Sequence, residues 1–152
     1  MSRLEPPRKA REPGIDATRV LRYTRVDMSV DVVAGPAPFS VAYLGSRIRE
    51  CLSDTAVVRA TVFGSYARGD ADAVSDLDLL IIEPTTRPFL ERGRQHLDLF
   101  RMGLGVDLLV YTPEEYDRLR RDGHPLIERV EREGITVYAR SEGRGSQVAR
   151  PS

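Results

Sequence analysis

Two runs decide the reading of this chain: Val57-Val58-Arg59-Ala60-Thr61-Val62-Phe63-Gly64-Ser65-Tyr66-Ala67-Arg68-Gly69-Asp70, and, after a short gap, Ser75-Asp76-Leu77-Asp78-Leu79-Leu80-Ile81-Ile82. The first enters a glycine-serine step from an apolar, β-branched segment, and the second opens on two aspartates before it turns wholly apolar. The pattern predicts a strand over Val57–Phe63, a tight turn into a short helix through about Ala67, and a release at Gly69-Asp70. A second strand follows over Ser75–Glu83 and is closed by Pro84. Asp76 and Asp78 sit at i and i+2, which on a strand places them on one face. Backbone N–H groups at a turn beside paired carboxylates suit a metal-bound phosphate.

Linker lengths extend the argument. The connection between the two strands is too short for a parallel crossover, which takes about a dozen residues or more, so they are expected to be antiparallel. Ser65 then lies beside Asp76. A third strand is predicted over Val106–Thr112, joined to the second by about twenty residues with helical spacing, which suits a parallel right-handed crossover. That crossover brings Asp107 level with Asp76 and Asp78. Asp78 shares its face with Leu80 and Ile82, and Asp107 shares its face with Leu109, an apolar setting where carboxylates need partners. Adjacent carboxylates raise one another's pKa, and a divalent cation removes the conflict. Oxygen-only ligands point to Mg²⁺ or Mn²⁺. The plain alternative for Asp76-Leu77-Asp78 is a loop cap paired with Arg68, and Gly64-Ser65 together with Asp107 argues against it.

The remaining segments frame this centre. Residues 1–35 read as a disordered or extended lead, proline-rich and charged to about Asp16, with Val20–Val33 able to form a short strand and Met28 a conceivable start. Residues 36–140 form the expected domain, and 141–152 a flexible tail. Helical spacing begins at Phe39 and ends at Ser53-Asp54. A helix is predicted over Arg87–Leu104 with Phe89, Leu90, Leu97, Phe100 and Leu104 inward, and His96 solvated or semi-buried. Thr112-Pro113-Glu114-Glu115 has the composition of a capped helix start, and that helix stops by Gly123. His124-Pro125 opens a last helix ended by Gly134, before a short strand over Ile135–Tyr138.

Composition narrows the class. At 41% hydrophobic and 30% charged residues, the chain has the makeup of a globular α/β domain. Its formal net charge of zero supplies no global field for nucleic acid or an anionic membrane. No basic stripe with stacking aromatics is visible, so direct nucleic-acid binding is not expected. Cys51 is the lone cysteine and no Cys/His cluster has zinc spacing. Without a signal-peptide pattern or a membrane-length apolar run, the expected location is cytoplasmic.

Gly64-Ser65, a ten-residue gap, Asp76-Leu77-Asp78 and the later Asp107 resemble the signature of the DNA polymerase β-type nucleotidyltransferase superfamily. From Phe39 to Tyr138 the wording, with VDLLVYTPEEY, GHPLIERV and EGITVY, is similar to its small stand-alone members, the minimal nucleotidyltransferase (MNT) domains. The resemblance implies a nucleotidyltransferase fold, a small mixed β-sheet with helices packed on it. It also implies transfer of AMP from ATP to a hydroxyl, with pyrophosphate leaving. Asp76 and Asp78 would bind two Mg²⁺ ions, and Asp107 would bind the ion that activates the acceptor. Gly64 and Ser65 would contact the triphosphate. Arg68 is a candidate for a further phosphate contact, or pairs only with Asp70 or Asp72, and Tyr66 either touches the nucleotide or packs its helix. Stand-alone MNT proteins are similar to antitoxins that adenylylate a tyrosine of a HEPN-type toxin, a ribonuclease encoded beside them. No segment here reads as a substrate-binding domain, so the acceptor is expected from such a partner. Competing expectations are an antitoxin that acts by binding alone, and transfer to a small molecule such as an aminoglycoside.

Overall fold

The computed structural model describes residues 21–22 and 35–141. The expectations for the rest of 1–35 and for the tail after residue 141 lie outside the described residues. One sheet carries the strands β1 (Leu21–Arg22), β2 (Arg59–Phe63), β3 (Leu77–Ile82), β4 (Val106–Tyr111) and β5 (Ile135–Ala139), in the spatial order β1-β4-β3-β2-β5. As the linker lengths require, β2 and β3 are antiparallel, with Phe63 opposite Asp78. β3 and β4 are parallel, with Asp78 opposite Asp107. β5 returns antiparallel on the far edge of β2 with an irregularity between Ala60 and Thr61, and β1 lies antiparallel to β4 with Arg22 opposite Asp107.

Strand alternation sends residues to two cores. Val62, Leu79, Ile81, Leu108 and Val110 face Leu44, Ile48 and Leu52 of α1 (Val41–Leu52), and Leu99 joins them. Phe63, Leu80, Ile82, Leu109 and Tyr111 face Tyr116 of α3 (Pro113–Arg121) and Ile127 and Val130 of α4 (Pro125–Glu133). Layers of helix on both faces of a sheet are the arrangement such near-continuous apolar strands call for. α1 starts two residues later than the spacing suggests, because Ser40 caps it by accepting from the Tyr43 N–H at 3.1 Å. Phe39 stays outside the helix, stacked on the Tyr43 ring at 5.2 Å.

The segment after β3 corrects the sequence expectation. It is a 3-10 helix, Phe89–Arg101, broken at His96 (φ −117°, ψ 37°), not an α-helix. Its buried residues are Arg92, Gly93, Leu99 and His96, the last expected to be solvated or semi-buried; Phe89, Phe100 and, beyond the helix, Leu104 pack partly buried against the cores as expected, while Leu90 and Leu97 are 61% and 49% exposed. Buried polar partners set this orientation. His96, 4% exposed, places Nε2 2.8 Å from Oε2 of Glu83, which is equally buried at the end of β3. Arg92 donates to both Glu115 carboxylate oxygens, at 2.6 and 3.0 Å, and to the Val110 carbonyl at 3.1 Å. An unpartnered buried charge costs more than two exposed leucines gain, so the polar set turns the helix.

Candidate active site

The edge where β2 ends and β3 and β4 begin collects the residues singled out in the sequence. Gly64 opens α2 (Gly64–Arg68) directly from the end of β2, with φ +70°, a backbone region that glycine enters without steric cost. A Cβ built on Gly64 would overlap Oδ2 of Asp78, so the carboxylate occupies the space that the missing side chain leaves. Gly105 plays the same part for Asp76, whose Oδ1 fills the Cβ position just before β4. In the sequence Gly105 stands only as the glycine just past the helix expected over Arg87–Leu104. The loop between α2 and β3 is fixed by Asp72, which accepts from the Val74 N–H at 3.0 Å and the Ser75 hydroxyl at 2.8 Å. Those bonds, the Ser75 hydroxyl first, hold the Asp72 carboxyl below the ordinary range.

Asp78 and Asp107 are brought side by side by the β3–β4 register. Both are half-buried on the α3–α4 side of the sheet. Burial first, then the neighbouring charge of Asp107, pushes the Asp78 carboxyl up from 3.8 to about 6, against the lowering pull of Arg129 and Arg68. Asp76 precedes β3 and also acts on Asp78 through its charge. Its side chain lies against Gly105, and among the described residues no group of three or more Asp, Glu, His or Cys side chains is gathered so as to hold a metal ion. The donor chemistry nonetheless fits a hard divalent cation: carboxylate oxygens alone, two of them in register, in a setting that disfavours their bare charge.

Ser65 is half-buried in the first turn of α2, and its carbonyl accepts from the Asp70 N–H at 3.0 Å. Tyr66 packs into the α1-side core, 3% exposed, as the packing alternative expects. Arg68 pairs with Asp70 at 3.2 Å and with Glu133 at 3.1 Å, not with Asp72. Glu133 and Arg129, both on α4, escaped the sequence reading. The signal was present in the sequence: a glutamate in the last turn of a helix lies against the macrodipole and calls for a reason. His124 acts as the helix cap expected of it, its Nδ1 accepting from the Leu126 N–H at 3.3 Å.

A mixed sheet with helices on both faces, an acid pair and a glycine turn at one edge is the architecture of a nucleotidyltransferase. Comparison with known families agrees: the sequence model of the Nucleotidyltransferase domain matches residues 46–140. The chain belongs to that family and is a nucleotidyltransferase. It is 34% identical over 79 residues to a Methanocaldococcus jannaschii protein provisionally named a protein adenylyltransferase, an alignment covering 52% of this chain and 77% of that one. Among solved structures it is similar to a toxin–antitoxin with AMP-PNP (TM-score 0.49, 22% identity, 64% of this chain and 74% of that chain). Another similar structure is a tri-AMPylated Shewanella oneidensis HEPN toxin in complex with MNT antitoxin (TM-score 0.44, 20% identity, 64% and 71% coverage). Among the described residues no helix is long and apolar enough to cross a membrane.

Proposed function

We propose that this nucleotidyltransferase is a protein adenylyltransferase that moves AMP from ATP to a hydroxyl, a tyrosine, of a HEPN-type toxin and so acts as its antitoxin. The observation that carries the reading is the side-by-side placement of Asp78 and Asp107 on the edge where β2 delivers Gly64 and Ser65. Likeness to the M. jannaschii protein supports AMP as the group moved and a protein as the acceptor. The sequence resemblance to MNT antitoxins supports the kind of partner.

Asp76 and Asp78 would hold two Mg²⁺ ions, or Mn²⁺, with Asp107 joining at one of them. Bound there, the ions supply charge neutralisation at the attacking and leaving oxygens of an in-line displacement. The chain's own residues orient and exchange protons. Gly64 lets backbone approach the triphosphate, Ser65 donates to it, and Arg68 offers a guanidinium to its oxygens. The acceptor oxygen bonds to the α-phosphorus as the bond to the bridging oxygen breaks. Pyrophosphate leaves with that electron pair, and the hydroxyl proton passes to Asp107.

The test is incubation of the full chain with labelled ATP and Mg²⁺, with and without the product of the neighbouring gene, followed by gel and mass analysis. Label on a partner tyrosine that disappears in Asp76→Asn is the expected result. Neutralisation of the partner that survives Asp76→Asn without transfer would establish action by binding alone. Label confined to small molecules would overturn both.

A further inference from the structure

Two donors from α2 and one from α4 converge on one carboxylate oxygen beside the Gly64 turn. Oε1 of Glu133 accepts from the Gly64 N–H at 3.0 Å, from Nη1 of Arg68 at 3.1 Å and from Nε of Arg129 at 3.2 Å. The Glu133 side chain is 14% exposed, while those of Arg68, whose Nε also pairs with Asp70 at 3.2 Å, and Arg129 are 42% and 46% exposed, so both arginines are reachable from solvent. Arg129 is steadied over the Phe63 ring at 5.8 Å, next to the strand end that pairs with Asp78.

This arrangement has an electrostatic oddity. Glu133 is the last residue of α4, where the helix C-terminus already carries partial negative charge. A brace between α4 and the turn needs only an acceptor, and a neutral amide would serve. A full negative charge at the disfavoured helix end is explained by what it gathers: two arginines and a backbone N–H, the donor set that recognises phosphate oxygens.

We infer that Glu133 is an internal stand-in for a phosphate group, holding Gly64 N–H, Arg68 and Arg129 together as a receptor and releasing them to the nucleotide's polyphosphate. The inference rests on the transfer reading above, which puts the triphosphate at the Gly64 turn. It adds Arg129 to the phosphate contacts and makes Glu133 a competitor that sets how tightly polyphosphate binds. A triphosphate, with several charges, outcompetes one carboxylate where a monoanion gains little.

The deciding measurement is calorimetric binding of inorganic tripolyphosphate, in EDTA, to the full wild-type chain, Glu133→Gln and Arg129→Gln, with thermal melts of each. Glu133→Gln keeps an acceptor and removes the charge, so binding should tighten by roughly 3–10-fold, on the scale of one charge-assisted contact. Arg129→Gln should weaken it several-fold. A structural brace would lower affinity and melting temperature together, whereas a competitor raises affinity whatever the melt does. Equal or weaker binding by Glu133→Gln, unchanged binding by Arg129→Gln, or no tripolyphosphate binding by any of the three overturns the inference. Failure of the transfer reading shows separately: ATP with Mg²⁺ would then bind wild type and Asp76→Asn alike, while the metal-free comparison still decides the role of Glu133.

Discussion

At Gly64 and Gly105 a single methyl group separates a working edge from a blocked one. Gly64→Ala collides with Asp78 and also forces a non-glycine residue into left-handed backbone, so it should cost roughly 1–2 kcal/mol of stability. Gly105→Ala meets the Asp76 side chain first and lacks the left-handed backbone of Gly64, so its effect should fall on transfer more than on folding. A loss of about 100-fold in turnover with a nearly unchanged melting temperature is the expected result, the scale of a one-ångström misplacement of a reacting group. The acid pair itself is held against its own repulsion. Asp78→Asn should abolish transfer yet raise the melting temperature measured in chelator by a few degrees, since it removes a buried charge facing another. The placement of Asp78 opposite Asp107 was legible in the sequence because strand alternation and linker length fix face and edge, whereas Asp76, expected on the strand beside Asp78, lies before β3 against Gly105. Gly105 was not legible, because its role depends on where one side chain folds back across the strand gap.

Among the elements, α3 is tied to the sheet through a double use of Glu115. Its carboxylate accepts from the Thr112 N–H at 2.9 Å, closing the capping box, and also takes the buried Arg92 in a two-point pair. The Arg92 bond above all, with help from the Thr112 N–H, holds the Glu115 carboxyl below its usual value of 4.5 despite partial burial. A carboxyl lowered by folding stabilises above its unfolded value and loses that contribution as pH falls through the folded value. Melting temperature should therefore drop below about pH 4.5, and Glu115→Gln should flatten that part of the profile when melts are run from pH 3 to 6. Glu115→Ala should cost about 2 kcal/mol at neutral pH, since it removes a cap and leaves a buried guanidinium short of partners. The capping box could be read from four consecutive residues. The break at His96 could not, because it answers to Glu83 on another element, and spacing alone counted Leu90 and Leu97 as inward.

Across the described residues as a whole, one sheet serves two cores and is the wall they share, each core being closed by its own helices. Leu79 and Leu80 are both fully buried and face opposite layers. Leu79→Ala and Leu80→Ala should each cost about 2–5 kcal/mol and shift the same single transition. Far-ultraviolet dichroism and tyrosine fluorescence should report one midpoint, because Tyr66 lies in one core and Tyr111 and Tyr116 in the other. The order of β2, β3 and β4 was legible from chain lengths between strands. The seat of β5 beside β2 was not, and with it went the approach of α4, which delivers Glu133 and Arg129 to the turn. Asp78 and Asp107 face each other in one register of β3 against β4. Because side chains alternate at every residue, a slip of one position between β3 and β4 would leave helix content and compactness almost intact while sending the two acids to opposite sides of the sheet. Specific activity is thus a fidelity gauge for strand registration, able to detect a misaligned minority that spectroscopy would count as native.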